Sequence, residues 1–287
     1  MSAVMKKELK LYFSTPTGYI FMGFFLLISG FFYAVSNLFT ASPNYTSVLG
    51  NITFIFLVVV PVLTMRLLSE EARTKTDQLL LTSPLRLTDI VLGKFLAAVT
   101  VFVITLLITC IYPIILSFYG DIAVAEIVGS YIGFFLLGCS FIAIGLFVSS
   151  LTDNQFVAAV VTFSALLLTW VIDWLETSLP TDRVAGFVFV LILVALVAAW
   201  VYFTIRNVII SAGVGVAGIG AFVAVYILKP DFYDNAIVRF FEWFSLLKRF
   251  QKFTNGLLDL SSVVYYLSFI FVFIFLTIRV LEKRRWS

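Results

Sequence analysis

Uncharged, mostly apolar runs alternate with short charged segments along the whole chain. A helix that crosses a bilayer needs about 20 such residues. Eight runs approach or reach that length: Thr17 to Phe39, Ile52 to Met65, Leu96 to Phe118, Ile127 to Leu151, Phe156 to Ile172, Val184 to Ile205, Val208 to Leu228, and Val263 to Ile278. The second and the last are short and extend through their flanks. The pattern predicts an all-α, polytopic transmembrane helix bundle of about eight spans, a single transmembrane domain over residues 1–287. Lys6, Lys7 and Lys10 precede the first run, and Ala34-Val35-Ser36 resembles a cleavage site. The run is too long for a secretion signal and reads as an uncleaved anchor.

Two segments are neither spans nor simple loops. In residues 1–15, Met5, Leu9, Tyr12 and Phe13 fall near i, i+4, i+7 spacing opposite Lys6, Lys7 and Lys10, the pattern of an amphipathic helix lying in the membrane surface. Pro16 and Gly18 would end it. Residues 229–262 carry Phe232, Tyr233, Phe240, Phe241, Trp243, Phe244, Phe250 and Phe253 among charges, as expected of aromatic-rich helices forming a cap at an interface. Gly256 would break this cap before the last span.

Orientation follows from lysine and arginine, which are retained on the cytoplasmic side. With the N-terminus inside, the inner segments hold Lys6, Lys7, Lys10, Arg66, Arg73, Lys75, Arg86, Lys94, Arg206, Arg279, Lys283, Arg284 and Arg285, thirteen of the 19 basic residues. The first two outer loops hold none. Both termini are therefore expected in the cytoplasm and the 229–262 cap outside.

Composition narrows the chemistry. Of 287 residues, 62% are hydrophobic and 12% charged, with mean hydropathy +1.10, so much of the exterior must face lipid. A net charge of +3 provides no basic field for nucleic acid. The chain has no histidine, which removes imidazole bases, His-Zn sites and His-centred triads. Cys110 and Cys139 sit in apolar runs and read as small hydrophobes. Ionisable residues fall almost entirely at span ends, which disfavours a proton path or ion channel. No intramembrane catalytic cluster stands out.

Motifs add little enzymology. No G-x-x-x-x-G-K-[ST] loop occurs, so the chain does not hold ATP by that route. Gly213-Val214-Gly215-Val216-Ala217-Gly218 fits the dinucleotide pattern but lies inside an apolar run. Its expected role is helix packing, through Gly213, Ala217 and Ala221. The most informative stretch is residues 66–94. Acids and bases at Arg66, Glu70, Glu71, Arg73 and Lys75 are followed by Thr76, the triplet Leu79, Leu80 and Leu81, then Ser83-Pro84 and Asp89. It suits a helix leaving the membrane, a turn and a short helix with a leucine face toward a cytoplasmic partner. An ordinary solvated loop is the alternative.

With these residues in place, the sequence resembles the permease subunits of ABC-2 type exporters, in particular the gliding-motility-associated group. The shared features are the N-terminal surface helix, Pro61 with Leu63-Thr64-Met65-Arg66, Glu70-Glu71, Leu80-Leu81 with Pro84, and Gly93-Lys94-Phe95. Near the C-terminus they are residues 250–260, Tyr265-Tyr266 and Arg284-Arg285-Trp286. Many relatives read Glu-x-x-x-Gly-Thr after the second span, whereas Lys75 stands here where glycine would sit. Relatives commonly have six spans, so residues 184–228 read as an additional hairpin on a six-span core.

The resemblance implies a transmembrane permease subunit of an ATP-binding cassette exporter in the bacterial plasma membrane, driven by separate ATPase subunits through residues 66–94. The chain itself would carry no cofactor and no enzymatic activity; ATP and Mg would bind the partner ATPase. Glu70, Glu71, Arg73 and Thr76 are the candidate polar contacts with the ATPase or the surface helix, Leu79, Leu80 and Leu81 the apolar ones, and Pro84 the end of the step. Implied partners are ABC ATPase subunits, a second permease chain (homodimer or paralogue), an extracytoplasmic accessory subunit, and membrane lipid, with no nucleic acid. The rival reading is a non-transporting membrane scaffold or sensor that docks a cytoplasmic partner.

Overall fold

A computed structural model describes residues 1–76, 85–176, 178–228, 230–257 and 259–286. Among these the chain is helical without strands, and eight helices are long and apolar enough to cross a membrane. They are Pro16–Leu38, Thr46–Arg73, Leu87–Leu116, Val124–Leu151, Gln155–Leu175, Arg183–Thr204, Ser211–Leu228 and Leu260–Arg285, called spans 1 to 8 below. The chain is a multi-pass helical membrane protein, with every span at its expected place in the sequence. It divides into two compact units, one of Met1–Leu168 with Leu246–Ser287 and one of Thr169–Ser245.

The larger unit is built around α8 (Val124–Leu151), the most buried span. Against it pack α4 (Phe56–Thr64), α6 (Leu87–Thr109), α13 (Leu246–Thr254) and α14 (Leu260–Trp286). In lipid, helices gain little from apolarity alone and associate through close backbone approach. Glycines on α8 supply it. A Cβ at Gly138 would collide with the rings of Phe102 and Phe56, one at Gly145 with Thr64, and one at Gly133 would lie 2.7 Å from Phe253. The clearance admits an aromatic core of Phe25, Phe56, Phe102, Phe134 and Phe141, each at most 1% exposed. Phe56 and Phe134 sit 4.7 Å apart, centroid to centroid.

Two helices of this unit are not spans. α1 (Ser2–Ser14) ends at Thr15, which is extended, and Pro16 opens α2 (Pro16–Tyr33) at a position where its missing N–H costs nothing. α13 buries Leu246, Leu247, Phe250 and Phe253 and stops at Gly256, whose φ of 76° suits glycine. Beyond it Asp259 caps α14. Its Oδ1 accepts the Ser261 amide at 3.0 Å, and its Oδ2 accepts the Ser261 hydroxyl at 2.8 Å and Lys252 Nζ at 3.1 Å.

The smaller unit is a hairpin of α10 (Arg183–Ile205) and α11 (Val208–Leu228), reversed at Arg206 with φ 54°, followed by α12 (Ala236–Phe244). Arg183 meets Asp234 through two bonds of 3.0 and 3.1 Å, and the Tyr233 hydroxyl donates to the Phe222 carbonyl at 2.6 Å. The packing glycines differ in register from expectation. A Cβ at Gly213 would meet nothing within 4 Å, and Ala217 and Ala221 are exposed. Gly218 and Gly215 instead face Val194 and Ala198 of α10. The aromatic segment expected to act as one cap is divided between the units, α12 in the smaller and α13 in the larger.

The Asp259 carboxyl is held well below the ordinary value, first by the Ser261 hydroxyl and then by Lys252. A lowered folded-state pKa contributes stability that is full above the unfolded value of about 4 and is lost as the pH falls through the lowered one. Asp259→Ala should therefore lower Tm by a constant margin at pH 5–7, a margin that narrows below about pH 4. Thermal unfolding in detergent across that range checks it, and a margin independent of pH would contradict it.

Candidate coupling site

Span 2 is not one continuous helix. α4 ends at Thr64, residues 65–68 form turns, and α5 (Ser69–Arg73) resumes. Such a break leaves backbone groups that need partners. Tyr12 of α1 donates its hydroxyl to the Leu63 carbonyl at 2.7 Å. From α8, Ser149 Oγ accepts the amides of Leu68 and Ser69, both at 3.1 Å, and donates to the Met65 carbonyl at 3.3 Å. Burial first, and the Glu8 carboxylate second, raise the Tyr12 phenol well above its ordinary value, so it stays protonated and able to donate.

The face that α1 turns to the protein is Val4, Glu8 and Tyr12, one residue per helical turn and all buried. The Met5, Leu9 and Phe13 stripe expected to lead is half-buried beside it. Gly93 lets this face approach α6, since a Cβ there would stand 2.9 Å from that of Val4. One residue further, Lys94 is 1% exposed. Its Nζ lies 2.7 Å from Glu8 Oε1 and 3.0 Å from Glu71 Oε2. The other Glu71 oxygen takes Lys7 Nζ at 3.2 Å. A single ammonium thus joins α1, the end of span 2 and the start of span 3. A buried charge is tolerated only when paired and hydrogen-bonded in this way.

A second, more exposed pair stands alongside. Arg66 grips Glu70 with two bonds of 2.8 and 3.0 Å and donates to the Thr17 hydroxyl at 2.9 Å. The two sets border a cavity of about 310 Å³, lined also by Leu11, Thr15, Thr74 and Thr76. At the edge of α1, the Met1 ammonium is 3.6 Å from Asp89. The arrangement offers no nucleophile–base pair. Its chemistry is mechanical, with three chain segments held by charges that neutralise one another.

Of the residues singled out in the sequence, Glu70 and Glu71 enter this cluster, each with a base. Thr76 lines the cavity, its hydroxyl 2.9 Å from that of Thr74, and Arg73 is exposed. Leu79, Leu80, Leu81 and Pro84 lie outside the described residues, in the connection that leaves this site at Thr76 and returns at Leu85. Lys75, standing where relatives carry glycine, adopts φ 56°, the left-handed conformation that glycine favours. Lysine here takes the backbone conformation that glycine would adopt without strain. Tyr12 stood out in the sequence only as part of the apolar face of the surface helix, Arg66 and Lys94 only as inner basic residues within shared motifs, and Glu8 not at all. The signal available for Glu8 was its position between Val4 and Tyr12 at i, i+4 spacing, where a carboxylate on a buried face calls for a buried base.

The chain is a multi-pass helical membrane protein with an ion-paired junction where span 2 ends and span 3 begins. Residues 33–172 match the family model described as "ABC-2 family transporter protein". The matched segment takes in the end of span 1, spans 2 to 4 and most of span 5, and is similar there to the membrane domains of ABC-2 transporters. No curated protein matches the chain.

Two outcomes follow from the geometry. Lys94→Met strands the buried Glu8 carboxylate and leaves Glu71 to Lys7 alone, and should cost about 3–5 kcal/mol, whereas Glu70→Gln at the half-exposed pair should cost less than about 1 kcal/mol. Thermal unfolding of both variants in one detergent compares them, and equal losses would contradict the assignment. Lys75→Gly removes a side chain from a left-handed position and should raise stability by about 1 kcal/mol, read as a higher Tm.

Proposed function

We propose that this chain is the permease subunit of an ABC exporter of the gliding-motility-associated type, in the bacterial plasma membrane with both termini cytoplasmic. The observation that carries the proposal is the ABC-2 match, which extends over the cluster residues Arg66, Glu70, Glu71 and Lys94 and over the connection between spans 2 and 3. In this reading residues 66–94 are the coupling segment. Separate ATPase subunits, which hold ATP and Mg, press on Leu79, Leu80 and Leu81 and on the polar surface near Arg73 and Thr76. Movement there reaches the spans directly, because Glu71 is ion-paired to the start of span 3 and Ser149 is hydrogen-bonded to the break in span 2. A second permease chain completes the translocation path, and the aromatic segment 229–262 faces the outside, where an accessory subunit can dock.

Support for the orientation comes from the larger unit itself. Arg284, near the end of α14, pairs with Asp153 at 3.2 Å, on the same end of the unit as Ser149 and α1. Lysines and arginines gather at that end, as the retention of positive charge on the cytoplasmic side requires.

The test is purification of the tagged chain in mild detergent. The expected result is co-purification of an ATPase chain whose hydrolysis is lost on mutating its own nucleotide loop. Replacing Leu79, Leu80 and Leu81 with serine should abolish co-purification while membrane insertion persists. Recovery of the chain alone, without hydrolysis, would overturn the exporter reading in favour of a scaffold.

A further inference from the structure

The face of α1 turned away from the protein is chemically divided. Met5, Leu9 and Phe13 form an apolar strip at i, i+4, i+8, half-buried along the edge of the Val4–Glu8–Tyr12 contact. Lys6 and Lys10, also one turn apart, stand about half a turn from that contact at 3.6 residues per turn, and both are exposed. Lys7 is committed to Glu71, whereas Lys6 and Lys10 have no ion-pair partner among the described residues. Only Thr15 separates α1 from the first membrane span, so the helix is tethered where hydrocarbon meets headgroups. At this junction Tyr19 is 57% exposed, and its ring meets Phe13 edge-on at 6.2 Å, an aromatic anchor of the kind that settles at a membrane interface.

We infer that α1 is a binding site for anionic phospholipid, with Met5, Leu9 and Phe13 set among the upper acyl carbons and Lys6 and Lys10 paired to headgroup phosphates. Charge complementarity selects the ligand. Two unpaired ammonium groups beside an apolar strip match a lipid whose headgroup carries net negative charge, and gain little from a zwitterionic one. The opposite face of the same helix holds Glu8 on Lys94, so lipid bound on one side steadies the ion-paired junction on the other. The inference stands on the membrane-spanning fold and does not require the exporter reading.

The test compares nanodiscs of phosphatidylcholine alone with nanodiscs containing phosphatidylglycerol, for the full chain and for Lys6→Gln/Lys10→Gln. The readouts are lipid retained through detergent extraction, measured by mass spectrometry, and the unfolding temperature. Neither needs ATPase activity. Wild-type protein should enrich phosphatidylglycerol and unfold at a higher temperature in its presence. The double glutamine variant should bind it roughly tenfold to thirtyfold less and lose the shift. Lys6→Arg/Lys10→Arg should retain both effects, and inorganic phosphate added to phosphatidylcholine nanodiscs should produce neither. Both lysines are exposed, so the variants should fold alike in phosphatidylcholine, and equal unfolding temperatures there confirm it. Undiminished phosphatidylglycerol enrichment in the glutamine variant, or a full shift from inorganic phosphate, would overturn the site.

Discussion

Burying the Lys94 ammonium constrains everything around it. Removing such a group from water costs several kcal/mol unless carboxylates surround it at hydrogen-bond distance. Here the carboxylates arrive from two other segments, Glu8 on the N-terminal helix and Glu71 beyond the break in span 2. None of the three segments can move away from the others without stranding a charge. The position of α1, the direction in which the chain leaves span 2 and the start of span 3 are therefore set together. The close approach at Gly93 and the Tyr12 bond to Leu63 follow from that placement.

The same constraint joins structure to function. The break at residues 65–68 would be a weak point in a span if its amides and carbonyls were left to lipid. Tyr12 and Ser149 supply partners from two sides, so the break is a defined bend. Just beyond it, the acids that begin α5 are held by Arg66, Lys7 and Lys94. A force applied to the connection after Thr76 meets this braced assembly before it meets any single helix. In the proposed function this is the property that matters, since a small displacement at the surface must become a coordinated movement of several spans.

The spans themselves were legible in the sequence because length and apolarity suffice to mark them. The boundaries were less so, for a physical reason. Counting stopped the third span at Leu96 because Lys94 reads as an exit from the membrane, yet α6 runs back to Leu87. A charge whose partners lie 86 and 23 residues away looks unpaired in the one-dimensional pattern. Likewise the glycine-rich run in span 7 showed that helices would approach closely without showing on which face, and the face proved to be Gly215 and Gly218. At Lys75 the missing glycine left the turn geometry open, and the backbone takes the left-handed conformation with lysine in it. Glu70 and Glu71 could be picked out by their density of charge. Glu8 could not, because its significance lies in which helix face is buried.

The central claim is that α1, the segment from Arg66 to Thr76 and the start of span 3 are held as one unit through Lys94. Amide hydrogen exchange in wild type and Lys94→Met measures this most directly. In the wild type, residues 2–14 and 66–76 should exchange slowly, and in the variant both should lose protection together. An N-terminal helix that exchanges like a fraying terminus in the wild type, or that loosens in the variant while residues 66–76 remain protected, would contradict the account.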